Sequence, residues 1–361
     1  MTVIGQVQVE RAYYLCQHCH AGHCPRDVAL GVTKADLSRG ATEAVALAGA
    51  LGSFAEAATK ILPKLSGLRV SESTVERVTE RVGHDVGERL AEGQTFGENK
   101  AWEWSKDAEG KSAGYVSADA TGVGMQGENG GAAEGRMASV GMVWNAGKPG
   151  QVRYACGLTG GLGVLGDSLR NQAGQVGMDK ADRWVAISDG GAGIETWLRE
   201  NFPRVEAVIL DFYHVAEYLN AWSKVLHPDE AEAKEVAKTW CHRLKHEGGE
   251  VVQAELRQID VSRRSAVVKE AHRVLLVYFG NQVHRMDYPS YRSKGWLIGS
   301  GPVEAACKQV VGQRMKGSGM RWGEEGADAV CHLRALFRSE KTQWDDYFTS
   351  RTQDSGQALA V

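Results

Sequence analysis

The sequence lacks any apolar run near the roughly 18 residues that a membrane-spanning helix needs, so no membrane partner is expected. Residues 1–20 lack a basic segment followed by an apolar one, so no secretory signal is read. Charge of one sign is also missing. A net −3 gives no general attraction for nucleic acid, although a local patch would suffice for binding. Cysteine is sparse and odd in number: of seven, Cys156, Cys241, Cys307 and Cys331 stand singly, which excludes a disulfide framework and fits a reducing cytoplasm. Cys16, Cys19 and Cys24 are clustered in "CQHCHAGHC", a pattern that points to a metal knuckle. No internal repeat is visible.

What is present is an ordinary globular composition, 43% hydrophobic and 24% charged, in 361 residues, enough for two or three domains. Residues 5–15 alternate and read as a strand. An alanine-rich helix is read from Thr42 to Lys64. "SESTVERVTERVGHDVGERL" reads as a second, with Ser73 and Glu76 as a capping box and Val75, Val78, Val82 and Val86 on one face. The pair is either a helix-turn-helix or a plain helical hairpin. Residues 97–114 read as a polar linker.

Strands follow at 115–120, 137–144, 152–158, 184–190 and 205–210, with helices near 164–176 and after Gly193. The order β-β-β-α-β-α-β implies a meander joined to two crossover strands. Residues 215–298 read as helical and Gly301 opens a further helix, with Pro302 in its first turn. The tail after Thr349 reads as polar and frayed.

Asp119 ends the first of these strands, Asp189 the fourth, and Glu304 sits in the first turn of the late helix. Each alone is an ordinary turn or cap residue. Together, three carboxylates without a basic partner are tolerable when divalent cations neutralise them, and oxygen ligands suit Mg²⁺ or Mn²⁺. Between Tyr291 and Trp322 lie six basic residues (Arg292, Lys294, Lys308, Arg314, Lys316 and Arg321) against one acid, Glu304. Such a stretch suits DNA phosphates, and Trp322 suits stacking on a base. The bland alternative is a solvated helix with a buried tryptophan.

The segments "VSADATGV", "WVAISDGG", "VEAVILDFYHVAEYL" and "GSGPVEAACKQVVGQRMKGSGMRW" resemble the DDE transposases of bacterial insertion sequences, in the Mutator-related group and its Kra branch. "RAYYLCQHCHAGHCPRD" is similar to that branch's N-terminal zinc-ribbon text. The resemblance implies an α/β, ribonuclease H-like mixed sheet interrupted by a helical insertion, behind a partial zinc ribbon and a helix-turn-helix-like region. It implies a ribbon-like segment at 1–30, DNA-binding helices at 31–96, a core at 115–214 and 299–340, and an insertion at 215–298.

It also implies Asp119, Asp189 and Glu304 as Mg²⁺- or Mn²⁺-binding catalytic acids. "DFYH" matches a D-x-x-H signature, so Asp211 and His214 support the site, with Asp211 the alternative second acid. Lys308, Arg314, Lys316, Arg321 and Trp322 are the expected DNA contacts. Cys16 and Cys19 form half of a zinc site. The chain starts inside the strand that should join two knuckles, as expected of a truncated N-terminus or a start codon placed late. The implied protein is cytoplasmic and nucleoid-associated, and oligomerises on double-stranded element ends and target DNA.

Two other readings stay open. One is a DNA-binding remnant without activity. The other is an NAD-dependent oxidoreductase, because "GLGVLG" at 161–166 fits G-x-G-x-x-G and Asp189 lies where a ribose-binding acid belongs.

Overall fold

The computed structural model describes residues 1–3, 7–8, 10, 12–25, 37–128 and 131–357. The N-terminal knuckle is an antiparallel hairpin of β1 (Tyr14–Leu15) and β2 (Gly22–His23), with Cys16 and Cys19 around its turn. Part of the strand expected at 5–15 (residues 5, 6, 9 and 11) lies outside the described residues, as does the expected boundary at residues 30 and 31.

Three helices follow: α1 (Arg39–Leu51), α2 (residues 54–65) and α3 (Glu72–Ala91). The single helix expected over 42–64 is broken at Gly52, because the Ser53 hydroxyl accepts from Glu56 N at 3.2 Å and starts a new helix. A π-helical turn at Ala57–Ile61 precedes Pro63, which has no N–H to continue the ladder. The cap of α3 also differs from the sequence reading. Ser71, not Ser73, accepts from Thr74 N at 3.2 Å, and Glu72 then stands at the favourable positive end of the helix. Val75, Val78, Val82 and Val86 are fully buried, in one cluster with Leu333, Leu336, Trp344 and Tyr347. These helices therefore form a layer fused to the C-terminal helices.

β3 (Ala113–Gln126), β4 (Ala132–Trp144), β5 (Val152–Gly157), β6 (Arg183–Ser188) and β7 (Val205–Leu210) build one mixed sheet in the order β5-β4-β3-β6-β7. β4 runs antiparallel to β3 and β5, whereas β3, β6 and β7 are parallel. Helices α4 (Gly161–Gln175) and α5 (Ile194–Asn201) make the connections around β6. β3 outruns the expected 115–120. Beyond Ser117 it leaves β6 and continues as a ribbon with β4, slipping register between Val123 and Met125. The backbone of Trp322 joins this ribbon, donating to Gly124 O at 3.1 Å and accepting from Gln126 N at 2.8 Å.

Of residues 97–114, expected as a linker, 97–112 form a packed strap and 113–114 open β3. Trp102 and Trp104 are buried, and their indole N–H groups donate to Glu340 at 2.8 Å and Gly177 O at 3.0 Å.

From β7 the chain enters a helical block: α6 (Phe212–Leu226), α7 (Glu230–Glu247), α8 (Gly249–Gln258), α9 (Ala266–Gln282) and α10 (Tyr288–Ser293). Trp222 and Phe279 are fully buried in it, and truncating either to Ala costs about 3–5 kcal/mol. Next come α11 (residues 301–315), α12 (Glu324–Arg338) and α13 (Lys341–Gln357), so the tail expected to fray after Thr349 is helical to Gln357. α11 widens into a π-helix over Cys307–Gly312, and the buried guanidinium of Arg334 donates to the carbonyls of Gln309 and Val310 there. Among the described residues no helix is long and apolar enough to cross a membrane.

Candidate active site

Asp119 lies within β3, two residues past the last β3–β6 pair at Ser117, rather than at the strand's end. The expected strand stops at residue 120, whereas β3 runs on to Gln126. The change matters for geometry, since a residue inside a paired ribbon is held more rigidly than one on a loop. Its half-buried carboxylate accepts from Ala120 N at 2.7 Å and from the Cys307 thiol at 3.4 Å.

Asp189 immediately follows β6, the parallel neighbour of β3, and accepts from Gly191 N at 3.0 Å. Glu304 is in the first turn of α11, exposed, with Lys308 Nζ 2.7 Å from its Oε1.

These three acids share one electrostatic neighbourhood. Burial pushes the Asp119 carboxyl above the usual carboxylate range, and the charges of Asp189 and Glu304 push it the same way. Among the described residues neither Asp119 nor Asp189 has a Lys or Arg ion pair. Among the same residues, no three His, Cys, Asp or Glu side chains converge closely enough to hold one metal ion as they stand. In kind, the donors suit a hard divalent cation: three carboxylates, one on β3 and one just past the parallel β6, whose mutual repulsion a cation relieves. Glu304 must leave Lys308 to join them, which its exposed side chain permits.

Asp211 is built differently. It is the N-cap of α6: Oδ1 accepts from Tyr213 N at 2.8 Å and Oδ2 accepts from the Ser300 hydroxyl. Phe212 N also donates to Ile298 O at 2.9 Å. Asp211 is 8% exposed and holds the end of β7 to the start of α11, and so helps place Glu304. The Asp189 charge is among the larger influences that raise the Asp119 carboxyl, whereas both Asp211 oxygens are taken up by Tyr213 N and the Ser300 hydroxyl. His214, in the first turn of α6, stands 3.7 Å from Glu217 and edge-on to Tyr218.

The basic stretch divides. Lys308, Lys316 and Arg321 are exposed, with Lys316 reaching Thr121 beside Asp119. Arg314 and Trp322 do not fit the expected DNA contact. Arg314 is 2% exposed, sandwiched between Phe54 and Trp322, and donates to Gly49 O at 2.7 Å. Trp322 is itself buried and donates to Met315 O at 3.1 Å. A cation and an indole spaced for one DNA surface in the sequence are instead spaced to face each other.

At the knuckle, Cys16 and Cys19 are exposed, and backbone N–H groups of Cys19 and His18 lower the Cys16 thiol below its ordinary value. Two thiols are half of a tetrahedral zinc site.

The glycine motif at 161–166 does open a helix after a strand, but β5 is an edge strand antiparallel to β4. The motif therefore misses the parallel switch point that a dinucleotide site uses. Its cleft, lined by Gly87, Cys156, Thr159, Val164 and His332, holds ≈ 20 Å³, room for one water. A Cβ on Gly166 would meet Asn201 Oδ1 at 2.2 Å, so this glycine serves helix packing.

The sequence reading passed over Cys307. It stands three residues after Glu304, on the same helical face, and that spacing was the available signal. Protein-family models give no match to this sequence, and no curated protein matches it.

Proposed function

We propose that the chain is a DNA transposase that cuts and joins strands with Asp119, Asp189 and Glu304 on a ribonuclease H-like core. The observation that carries this reading is geometric: Asp119 sits on β3, Asp189 directly follows the adjacent parallel β6, and the helix that bears Glu304 is tied to Asp119 by the Cys307 thiol at 3.4 Å. The charges of Asp189 and Glu304 both act to raise the Asp119 carboxyl. The sheet order, with its second strand antiparallel and the first, fourth and fifth parallel, supports the same core.

A pair of Mg²⁺ or Mn²⁺ ions, when bound, supplies charge neutralisation and a lowered pKa for the attacking water. The chain's own residues do the rest. Asp119 gives a carboxylate from the sheet, Asp189 one from the loop just past β6, and Glu304 closes from α11 once Lys308 turns to a DNA phosphate. Lys316 and Arg321 hold the flanking backbone. The water oxygen bonds to phosphorus as the bond to the 3′ oxygen breaks, leaving a 3′-hydroxyl on the element end. That oxygen then bonds to a target phosphorus, and the target's own 3′ oxygen leaves. His214 and Asp211 support the site. Cutting two ends calls for an oligomer on DNA, and the Cys16–Cys19 knuckle contributes two of the four thiolates of a zinc ribbon.

The reading is tested by an excision assay in cells carrying the gene and a reporter interrupted by its flanking terminal DNA. Excision by the wild type, lost in Asp119→Asn, supports a transposase. DNA binding without excision would make the chain a non-catalytic remnant.

A further inference from the structure

Asp189 opens the loop "DGGAG", in which Gly190, Gly191 and Gly193 offer little stiffness, and Gly193 adopts φ +80°. Such a loop does not fix a carboxylate by itself. The fixing comes from the helical insertion, about 90 residues later. Arg285, 1% exposed, donates through Nη2 to Ser188 Oγ at 2.6 Å and to the carbonyls of Ser188 and Asp189 at 3.3 Å each. Its Nε donates to Val208 O at 3.1 Å on β7, and Gln282 Oε1 accepts from its Nη1 at 2.9 Å. Gln282 in turn donates to Gly190 O at 3.4 Å.

Three successive carbonyls, 188 to 190, thus accept from two side chains of the insertion. Tyr278 closes the loop from above. A Cβ at position 190 would lie 3.0 Å from Tyr278 Cε2, and the Tyr278 ring is held by stacking on Tyr218 at 3.9 Å. Beyond the loop, Glu195 in the first turn of α5 pairs with His284 of the insertion at 2.8 Å and, within its own helix, with Arg199 at 3.0 Å.

We propose that Arg285 is a positioning residue for the second acid, and that the insertion over 212–293 is thereby part of the active centre, setting the Asp189 carboxylate for the metal ion. This rests on Asp189 being one of the metal-binding acids. A lysine cannot replace the forked guanidinium, which serves two strands and a loop at once.

The test uses the full-length protein and Mn²⁺ as the probe, read by calorimetry or by the electron paramagnetic signal of the free ion. DNA affinity in EDTA and a circular dichroism melt serve as controls. Arg285→Lys is expected to weaken Mn²⁺ binding about ten-fold, the range for losing a group that orients a ligand, with DNA affinity unchanged. Where Arg285→Lys does not fold, Gln282→Met and Gly190→Ala carry the test, each expected to weaken Mn²⁺ binding about three-fold in a folded protein. Wild-type Mn²⁺ affinity in folded variants overturns the proposal while leaving the acids' role intact. A wild type that binds no Mn²⁺, or an Asp189→Asn variant that binds it as well as wild type, overturns the underlying reading of Asp189 too.

Discussion

Cys307 Sγ lies 3.4 Å from Asp119 Oδ2, so the helix that carries Glu304 is hydrogen-bonded directly to the first acid of the sheet. Burial, then the Asp119 charge, pushes this thiol well above its ordinary value. It therefore stays a protonated donor at neutral pH. Cys16 is the opposite case, exposed and lowered by backbone N–H groups. Since the thiolate is the nucleophile, iodoacetamide at pH 7.5 is expected to label Cys16 fast and to spare Cys307, Cys156 and Cys331 until the protein is denatured. Peptide mass spectrometry of timed samples gives the order, and early labelling of Cys307 would contradict this placement.

Asp211 and Asp189 separate by substitution. Asparagine is as good an N-cap as aspartate, so Asp211→Asn is expected to keep the fold within about 1 kcal/mol and, under the proposed function, to retain cleavage. Asp189→Asn is expected to keep the fold and, under the same proposal, to lose cleavage. Asp211→Ala costs about 1–2 kcal/mol, by loss of the cap and of the Ser300 bond. An inactive, folded Asp211→Asn beside an active Asp189→Asn would reverse the choice of second acid.

The basic residues fall into two classes with different readouts. Replacing Lys308, Lys316 and Arg321 with Ala should lower the slope of log K against log salt by roughly three for duplex DNA, with an unchanged melt. Arg314→Ala should act on stability. It removes a buried cation from between two aromatic rings and from the Gly49 carbonyl, at a cost of about 3 kcal/mol or more. DNA titrations at several salt concentrations and urea melts distinguish the two, and a stable Arg314→Ala with a reduced slope would restore it to the DNA surface.

Asp328 anchors α12 to the turn after β5, accepting from Leu158 N at 2.6 Å and Thr159 N at 3.2 Å, with His332 at 3.7 Å. Burial alone would raise its carboxyl, but His332, Thr159 and the Leu158 N–H outweigh that and hold it well below the usual range. A carboxyl depressed in the fold gives stability that is fully present above its unfolded value, near 4, and is lost as pH falls from there through the depressed folded value. Asp328→Asn should therefore cost about 1–3 kcal/mol at pH 7, with the gap to wild type narrower at pH 3. Denaturant melts at both values check this, and a gap that widens in acid would contradict it.

The sheet was legible because its strands alternate or run apolar between turns, and the insertion because its period is close to 3.6. The glycines of β3 hid its ribbon, since Gly122 and Gly124 read as a turn until the Trp322 backbone is there to pair with them. Ser71 and Ser73 are both good caps, and the sequence cannot choose between registers two residues apart. The three proposed acids were picked out as strand-end and helix-start residues, although Asp119 lies inside β3. Their support was not, because Arg285, Cys307 and Ser300 act through contacts between segments far apart in the chain. Arg314 and Trp322 were misplaced for the same reason: a basic stretch shows charge but not which side chains face inward.

The most direct measurement is Mn²⁺-dependent cleavage of end-labelled DNA carrying the element's terminal sequences, by wild type, Asp119→Asn, Asp189→Asn, Glu304→Gln and Asp211→Asn at equal occupancy of DNA. The account predicts a nick leaving a 3′-hydroxyl with wild type and Asp211→Asn, and a loss of at least about 100-fold in each of the other three. Cleavage at the wild-type rate by any folded variant of Asp119, Asp189 or Glu304 would contradict it.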